Sequence, residues 1–100
     1  MVKKPGEAPC IQWINNDLTA LQKIVGGYIE TITIHGLGEK GDKTAVVICN
    51  EEGKLRGLPY NCKIMGEPIV GNLLICGGDG EEFADLPLTI MQAFALLEVE

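Results

Sequence analysis

Thr44-Ala45-Val46-Val47-Ile48-Cys49 carries no polar side chain after its first residue. It is bounded by Lys40-Gly41-Asp42-Lys43 before it and by the turn-forming Asn50-Glu51-Glu52-Gly53 after it. A β-branched run of this length between turn signals reads as a strand. A strand with one wet face would alternate polar and apolar residues; this one does not, so it belongs at the centre of a sheet. The rest of the fold has to be arranged around it.

The remaining segments supply neighbours. Cys10 to Ile14, with Trp13 as its largest side chain, is expected to be a first strand. Asn15-Asn16 supplies a helix N-cap with Asp17 in the first turn, where the helix dipole favours an anion. Leu18, Leu21, Ile24 and Val25 then recur at helical spacing, and Gly26-Gly27 stops the helix. Tyr28 to Ile34 is rich in β-formers and reads as a strand. Gly57 to Gly66, containing Pro59, is expected to be irregular or a short helix. Ile69 to Cys76 is a further strand, weakened at Gly71. A second helix is expected from Thr89, where Thr89-Ile90-Met91-Gln92 fits a capping box. Ile90 to Val99 is apolar nearly all round, which favours burial against another subunit and hence a homo-oligomer formed through this C-terminal helix. The expected class is α+β, a mostly antiparallel sheet with two helices in the order β-α-β-β-β-α. The 100 residues fit a single domain, residues 1–100, with 1–9 as a flexible lead.

Several functional motifs are nearly spelled and fail on context. Gly36-Leu37-Gly38-Glu39-Lys40-Gly41 matches a dinucleotide-binding glycine pattern, and Gly36 to Thr44 approaches a phosphate-binding P-loop. Both chemistries need a helix to begin at the loop, so that its amides meet the phosphates; a strand follows here, which makes this a hairpin loop. Gly77-Gly78-Asp79-Gly80-Glu81-Glu82-Phe83 resembles the active-site loop of cyclic-dinucleotide synthases but holds two extra residues, and the rest of that larger domain is missing. Read as a calcium loop, Asp79, Glu81 and Asp85 fall at acidic positions, but Ile90 stands where a bidentate Glu is required. An acidic turn leaving a strand is the expectation.

Cys10, Cys49, Cys62 and Cys76 make no close pair, and His35 is the single histidine. Neither a zinc site nor a disulfide is expected. With one His and no Ser, no catalytic triad can be assembled, so the chain is read as a non-enzyme without cofactor or metal. The net charge is −6, which disfavours direct nucleic-acid binding. No apolar segment follows Lys3-Lys4, and none approaches the ~20 residues of a membrane span. A cytoplasmic protein with no membrane partner is expected.

Charge is nevertheless unevenly placed. Lys40, Lys43, Lys54, Arg56 and Lys63 are five of the eight basic residues, and none follows Lys63. Within this basic centre Asn50, Lys54, Arg56, Tyr60 and Asn61 combine amide, cationic and aromatic groups, with Lys43 close by in the preceding loop. Such a set suits a base plus a phosphate: stacking on Tyr60, edge hydrogen bonds from the two Asn, charge from the cations. These six are the candidate ligand-binding residues.

Three stretches, Leu21-Gln22-Lys23-Ile24-Val25-Gly26-Gly27-Tyr28-Ile29-Glu30, Cys49 to Asn61 and Ile69 to Asp79, together resemble the small domain-of-unknown-function proteins (DUF3846-like) of Gram-positive bacteria, their phages and plasmids. Asn50-Glu51-Glu52-Gly53-Lys54 with Gly57-Leu58-Pro59 and Asn61 is the most specific part. The C-terminal helix departs from the family by being unusually apolar. The resemblance implies no activity. It implies a setting in which small oligomeric phage proteins counter host defence, some by sequestering a nucleotide signal. The function expected on these grounds is sequestration of a nucleotide-like signalling molecule without catalysis. The alternative is an acidic protein-interaction module that mimics DNA and inhibits a host nuclease.

Overall fold

The computed structural model describes residues 1–10, 14, 17–37, 40–41, 43–64, 66–79 and 82–84. Their elements are β1 (Val2–Lys3), α1 (Leu18–Val25), β2 (Ile29–Leu37), β3 (Lys43–Asn50), β4 (Tyr60–Ile64), β5 (Glu67–Val70), β6 (Leu73–Asp79) and β7 (Glu82–Ala84). The main sheet is antiparallel throughout. Its strand order is β1-β6-β3-β2, with β7 also pairing β6. β4 and β5 form a separate antiparallel hairpin.

The unbroken apolar run is the central strand β3, and the reason it lacks polar residues is visible in its two faces. Val46 and Ile48 pack with Val2, Leu74, Leu21 and Val25, so α1 covers that side. Ala45, Val47 and Cys49 pack with Leu73, Ile75, Cys62, Ile64 and Ile69, so the β4–β5 hairpin covers the other. Helix, sheet and hairpin make three layers with an aliphatic core on each side of the sheet. A strand sealed on both faces has no place for a polar side chain.

The α+β class with a mostly antiparallel sheet stands, but the expected order does not. Among the described residues there is one helix, and the order is β-α-β-β-β-β-β-β. The helix expected over residues 89–99, and with it the oligomer interface assigned there, lies outside the described residues. So do Trp13 and residues 11–13 of the expected first strand. Cys10 instead makes a single bridge to Val2, with N–H···O bonds of 2.8 Å in both directions. Met1, Val2 and Lys3, expected in a flexible lead, are buried, Val2 and Lys3 as β1 on the edge of β6.

Two local differences have clear causes. The helix cap is Asp17, whose carboxylate accepts from Ala20 N at 2.8 Å, so the helix starts after Asp17 rather than before it. The expected strand from Ile69 to Cys76 is two strands in two different sheets. Gly71, at φ 75°, turns the chain between them, and Asn72 separates it from β6. The segment from Gly57 to Gly66, expected to be irregular, contains β4; Pro59 lies just before it, where no ladder amide is needed.

Both near-motifs are flanked by strands that pair antiparallel with each other. β2 pairs β3 antiparallel from Ile29↔Asn50 to Ile34↔Ala45, with a register shift before Leu37↔Lys43 at the glycine-rich segment. β6 and β7 pair antiparallel, with Gly77↔Ala84, Gly78↔Phe83 and Asp79↔Glu82 in register.

Candidate functional site

The last turn of α1 exposes backbone carbonyls that no further turn can satisfy. Gly26, in the left-handed conformation at φ 80°, closes the helix, and its N–H and that of Gly27 both donate to Gln22 O at 2.8 and 3.1 Å. Three side chains from outside the helix take three further carbonyls. Asn72 Nδ2 donates to Ile24 O at 3.0 Å, Asn50 Nδ2 to Val25 O at 3.1 Å, and Arg56 Nη1 to Gly26 O at 2.9 Å. A cation is well placed here, because the helix dipole leaves about half a negative charge at this end.

Residues 50–58 fold to make this possible. Asn50 ends β3, and its Oδ1 accepts from Glu52 N at 2.8 Å, bending the chain back as an Asx turn. Arg56 N then donates to Glu52 O at 2.9 Å and Leu58 N to Gly53 O at 3.0 Å, a coiled loop that swings Arg56 over the helix end. Gly27, on the other side of the contact, leaves room for these two side-chain ends. A Cβ there would lie 2.9 Å from Asn50 Nδ2 and 3.2 Å from Arg56 Nη1.

Between these parts lies an open cleft of about 240 Å³, lined by Gln22, Gly27, Tyr28, Asn50, Glu52 and Arg56. Tyr28 is 67% exposed, a large aromatic side chain left in water beside a guanidinium. Its backbone carbonyl accepts from Glu51 N at 2.9 Å, which extends the β2–β3 ladder and fixes Tyr28 beside the Asn50–Arg56 loop. The electrostatics are mixed. Arg56 supplies a positive charge, whereas Glu52 and the helix terminus supply negative potential.

Of the six candidate residues, this site holds Asn50 and Arg56. Asn50 spends its carboxamide largely on structure. Lys54 is outside the cleft lining and forms an exposed ion pair with Glu67, Nζ to Oε1 2.7 Å; that hydrogen bond, ahead of weaker charge effects, raises the lysine pKa. Tyr60 is half-buried in β4, opposite Val70. Asn61 is fully buried: its Nδ2 donates to Lys3 O at 2.9 Å and Gly71 O at 2.8 Å, and its Oδ1 accepts from Lys3 Nζ at 2.7 Å. That makes Asn61 a structural amide, its carboxamide engaged within the fold. Lys43 begins β3 while Asn50 ends it, so seven strand steps, roughly 23 Å, separate Lys43 from the cleft.

Tyr28, Gln22 and Glu52 were not among the candidates. The available signal was Tyr28 placed directly after two glycines at a helix end. Its partnership with Arg56 comes only from the β2–β3 register, which spans the intervening sequence.

Among the described residues, no group of three or more His, Cys, Asp or Glu is placed to hold a metal ion. No described helix is long and apolar enough to cross a membrane. Cys49 and Cys62 are buried in the hairpin-side core, and desolvation is the main cause that raises both thiol pKa values. They are packing residues rather than nucleophiles.

Fold and site together define a small α+β domain with a solvent-open cleft at a helix C-terminus. The chain belongs to the family of the domain of unknown function DUF3846, whose model matches residues 1–97. No curated protein and no solved structure matches it.

Proposed function

We propose that the domain is a non-catalytic binding protein that takes a single nucleotide-like unit in the cleft at the end of α1 and sequesters it unchanged. The observation that carries this reading is Tyr28, solvent-exposed at the wall of a cleft that also holds Arg56 and Gln22. An exposed aromatic face suits stacking of a base. Gln22 and Glu52 offer complementary donors and acceptors for a base edge or a sugar hydroxyl. Arg56 has one N–H on Gly26 O, and a guanidinium carries five, so it can hold a phosphate on its solvent side, away from the helix carbonyls.

Size and charge narrow the ligand. At about 240 Å³ the cleft is at the lower limit of small-molecule sites, which fits one base and sugar rather than a dinucleotide. Glu52 and the helix terminus disfavour several phosphates at the base of the cleft. Among the described residues, the lining holds no nucleophile paired with a base, so a recovered ligand should be unaltered.

The second reading is an acidic module that docks on a basic partner. The net charge of −6 and the exposed Glu51 and Glu52, the second in the cleft lining, favour it. Calorimetric titration against nucleoside monophosphates and cyclic mononucleotides separates the two. Tyr28→Ala is expected to weaken binding by about 1–3 kcal/mol, the range for losing a stacked base, without loss of fold. Arg56→Ala should cost about 1.5–3 kcal/mol if its guanidinium holds the phosphate. Absence of binding by the wild type, or equal binding by both variants, would reject the cleft as a nucleotide site and put the acidic-module reading first.

A further inference from the structure

We infer that the outer edge of β2 is a self-association surface, and that a second copy of this chain pairs with it antiparallel to join the two sheets. This does not depend on the ligand reading. β2 is nine residues long, and its described strand partner is β3 alone. Long open edges are ordinarily guarded by Pro, Lys or an inward charge. β2 has no Pro and no Lys; its one acidic residue, Glu30, is exposed, and its register shift lies beyond Ile34, which leaves Ile29 to Ile34 in regular register. Thr31, Thr33 and His35 are exposed, and among the described residues no second strand lies against this edge.

The direction of its free hydrogen-bonding groups follows from one bond. Glu51 N donates to Tyr28 O at 2.9 Å, which makes Tyr28 and Glu51 a hydrogen-bonded pair in the register that continues as Ile29↔Asn50. In an antiparallel ladder such pairs alternate with pairs whose N–H and C=O groups point away from each other. Glu30, Ile32 and Ile34 therefore bond to β3, and Ile29, Thr31 and Thr33 direct their backbone groups to the open edge.

This pattern is self-complementary. A two-fold axis through Ile32 sets Thr31 opposite Thr33 of the second copy, and Thr33 opposite its Thr31. Each of those pairs exchanges two main-chain hydrogen bonds, and Thr–Thr pairs are favourable neighbours on a sheet. The half-buried Ile32, on the hairpin face, meets its own copy. Glu30 falls opposite Ile34, so like charges are kept apart. The axis is perpendicular to the sheet, which places both α1 helices on the same side of the joined sheet.

The test is sedimentation of the full chain at high micromolar concentration, with Thr31→Pro as the variant. Because the Thr31 N–H faces outward, proline there removes no β2–β3 hydrogen bond and is tolerable at an edge. The expected result is a dimeric wild type and a monomeric Thr31→Pro with an unchanged circular dichroism spectrum. Amide exchange of the wild type gives a readout that needs no variant: the Thr31 and Thr33 amides should slow at least about tenfold on concentration, as edge amides become paired. A monomeric wild type, a folded Thr31→Pro that stays dimeric, or concentration-independent exchange at these amides would each overturn the inference. The second outcome would move the interface to another surface, such as the helix expected over residues 89–99.

Discussion

Removing the Asn61 carboxamide should damage the fold far more than any ligand site. Lys3 is 2% exposed and Asn61 0%, and the two are joined across the interface between β1 and the hairpin. Asn61→Ala deletes the acceptor of the 2.7 Å bond from Lys3 Nζ and the donors to Lys3 O and Gly71 O. The other acceptor recorded for Nζ, Lys4 O, is 3.5 Å away. A hydrogen bond from a charged donor contributes about 1.5–3 kcal/mol and a neutral one about 1. The three together give a loss of about 3–5 kcal/mol, a large part of the ~5–15 kcal/mol that holds a domain of this kind. The melting temperature should fall by roughly 12–40 °C.

Chemical denaturation followed by far-ultraviolet circular dichroism measures this directly. Lys3→Met combined with Asn61→Leu should recover part of the loss, since an apolar pair leaves no buried charge behind. Asn61→Asp should not rescue the fold at neutral pH, because its second oxygen would face the carbonyls of Lys3 and Gly71. A loss under about 1 kcal/mol for Asn61→Ala, or simple additivity between Asn61→Ala and Lys3→Met, would refute the coupling argued from these distances.

Other expectations follow from the same packing. Gly71→Ala should destabilise by about 1–2 kcal/mol from backbone strain at positive φ, and the new Cβ would lie 2.8 Å from Leu58 Cδ1; an unchanged denaturation midpoint would show that this turn needs no glycine. In thiol titration of the native protein, the exposed Cys10 should react first, with Cys49 and Cys62 reacting only on unfolding. Burial raises the pKa of both buried thiols above the ordinary 9.0. Their contribution to stability is therefore complete below pH 9 and declines as pH rises past it, so alkaline sensitivity should be reduced in Cys62→Ala.

The central strand was legible because burial on both faces forces a residue pattern that few other environments produce. The α1 face and its glycine stop were legible for similar reasons: helical spacing and a left-handed cap are local. What was not legible is how Gly71 partitions one apolar run between two sheets. Ile69-Val70 and Leu73-Leu74-Ile75 look alike in sequence, yet one belongs to the hairpin and the other to the main sheet. The fate of the polar residues was hidden for the same reason. Asn50, Lys54, Arg56 and Asn61 are close together in the chain, but one loop and one strand send them to a helix end, a surface ion pair and the core.

That dispersal changes how the most distinctive stretch of the chain should be understood. Asn50 caps α1, Gly53 fits against Val70, whose Cγ2 would be 2.9 Å from a Cβ there, and Asn61 binds β1 to the Gly71 turn. Lys54 ties the loop to β5 through Glu67. Read together, these contacts make Cys49 to Asn61 a brace linking all three layers of the fold. Asn50, Glu52 and Arg56 join that brace to the open cleft, and Arg56 is the cation among them: its guanidinium both closes the helix end and reaches the wall shared with Tyr28. A ligand engaging Arg56 would therefore act on a side chain already positioned by the helix terminus, with little conformational entropy left to lose. The structural and binding readings of this stretch are thus compatible at one residue, and that residue is where they can be separated by experiment.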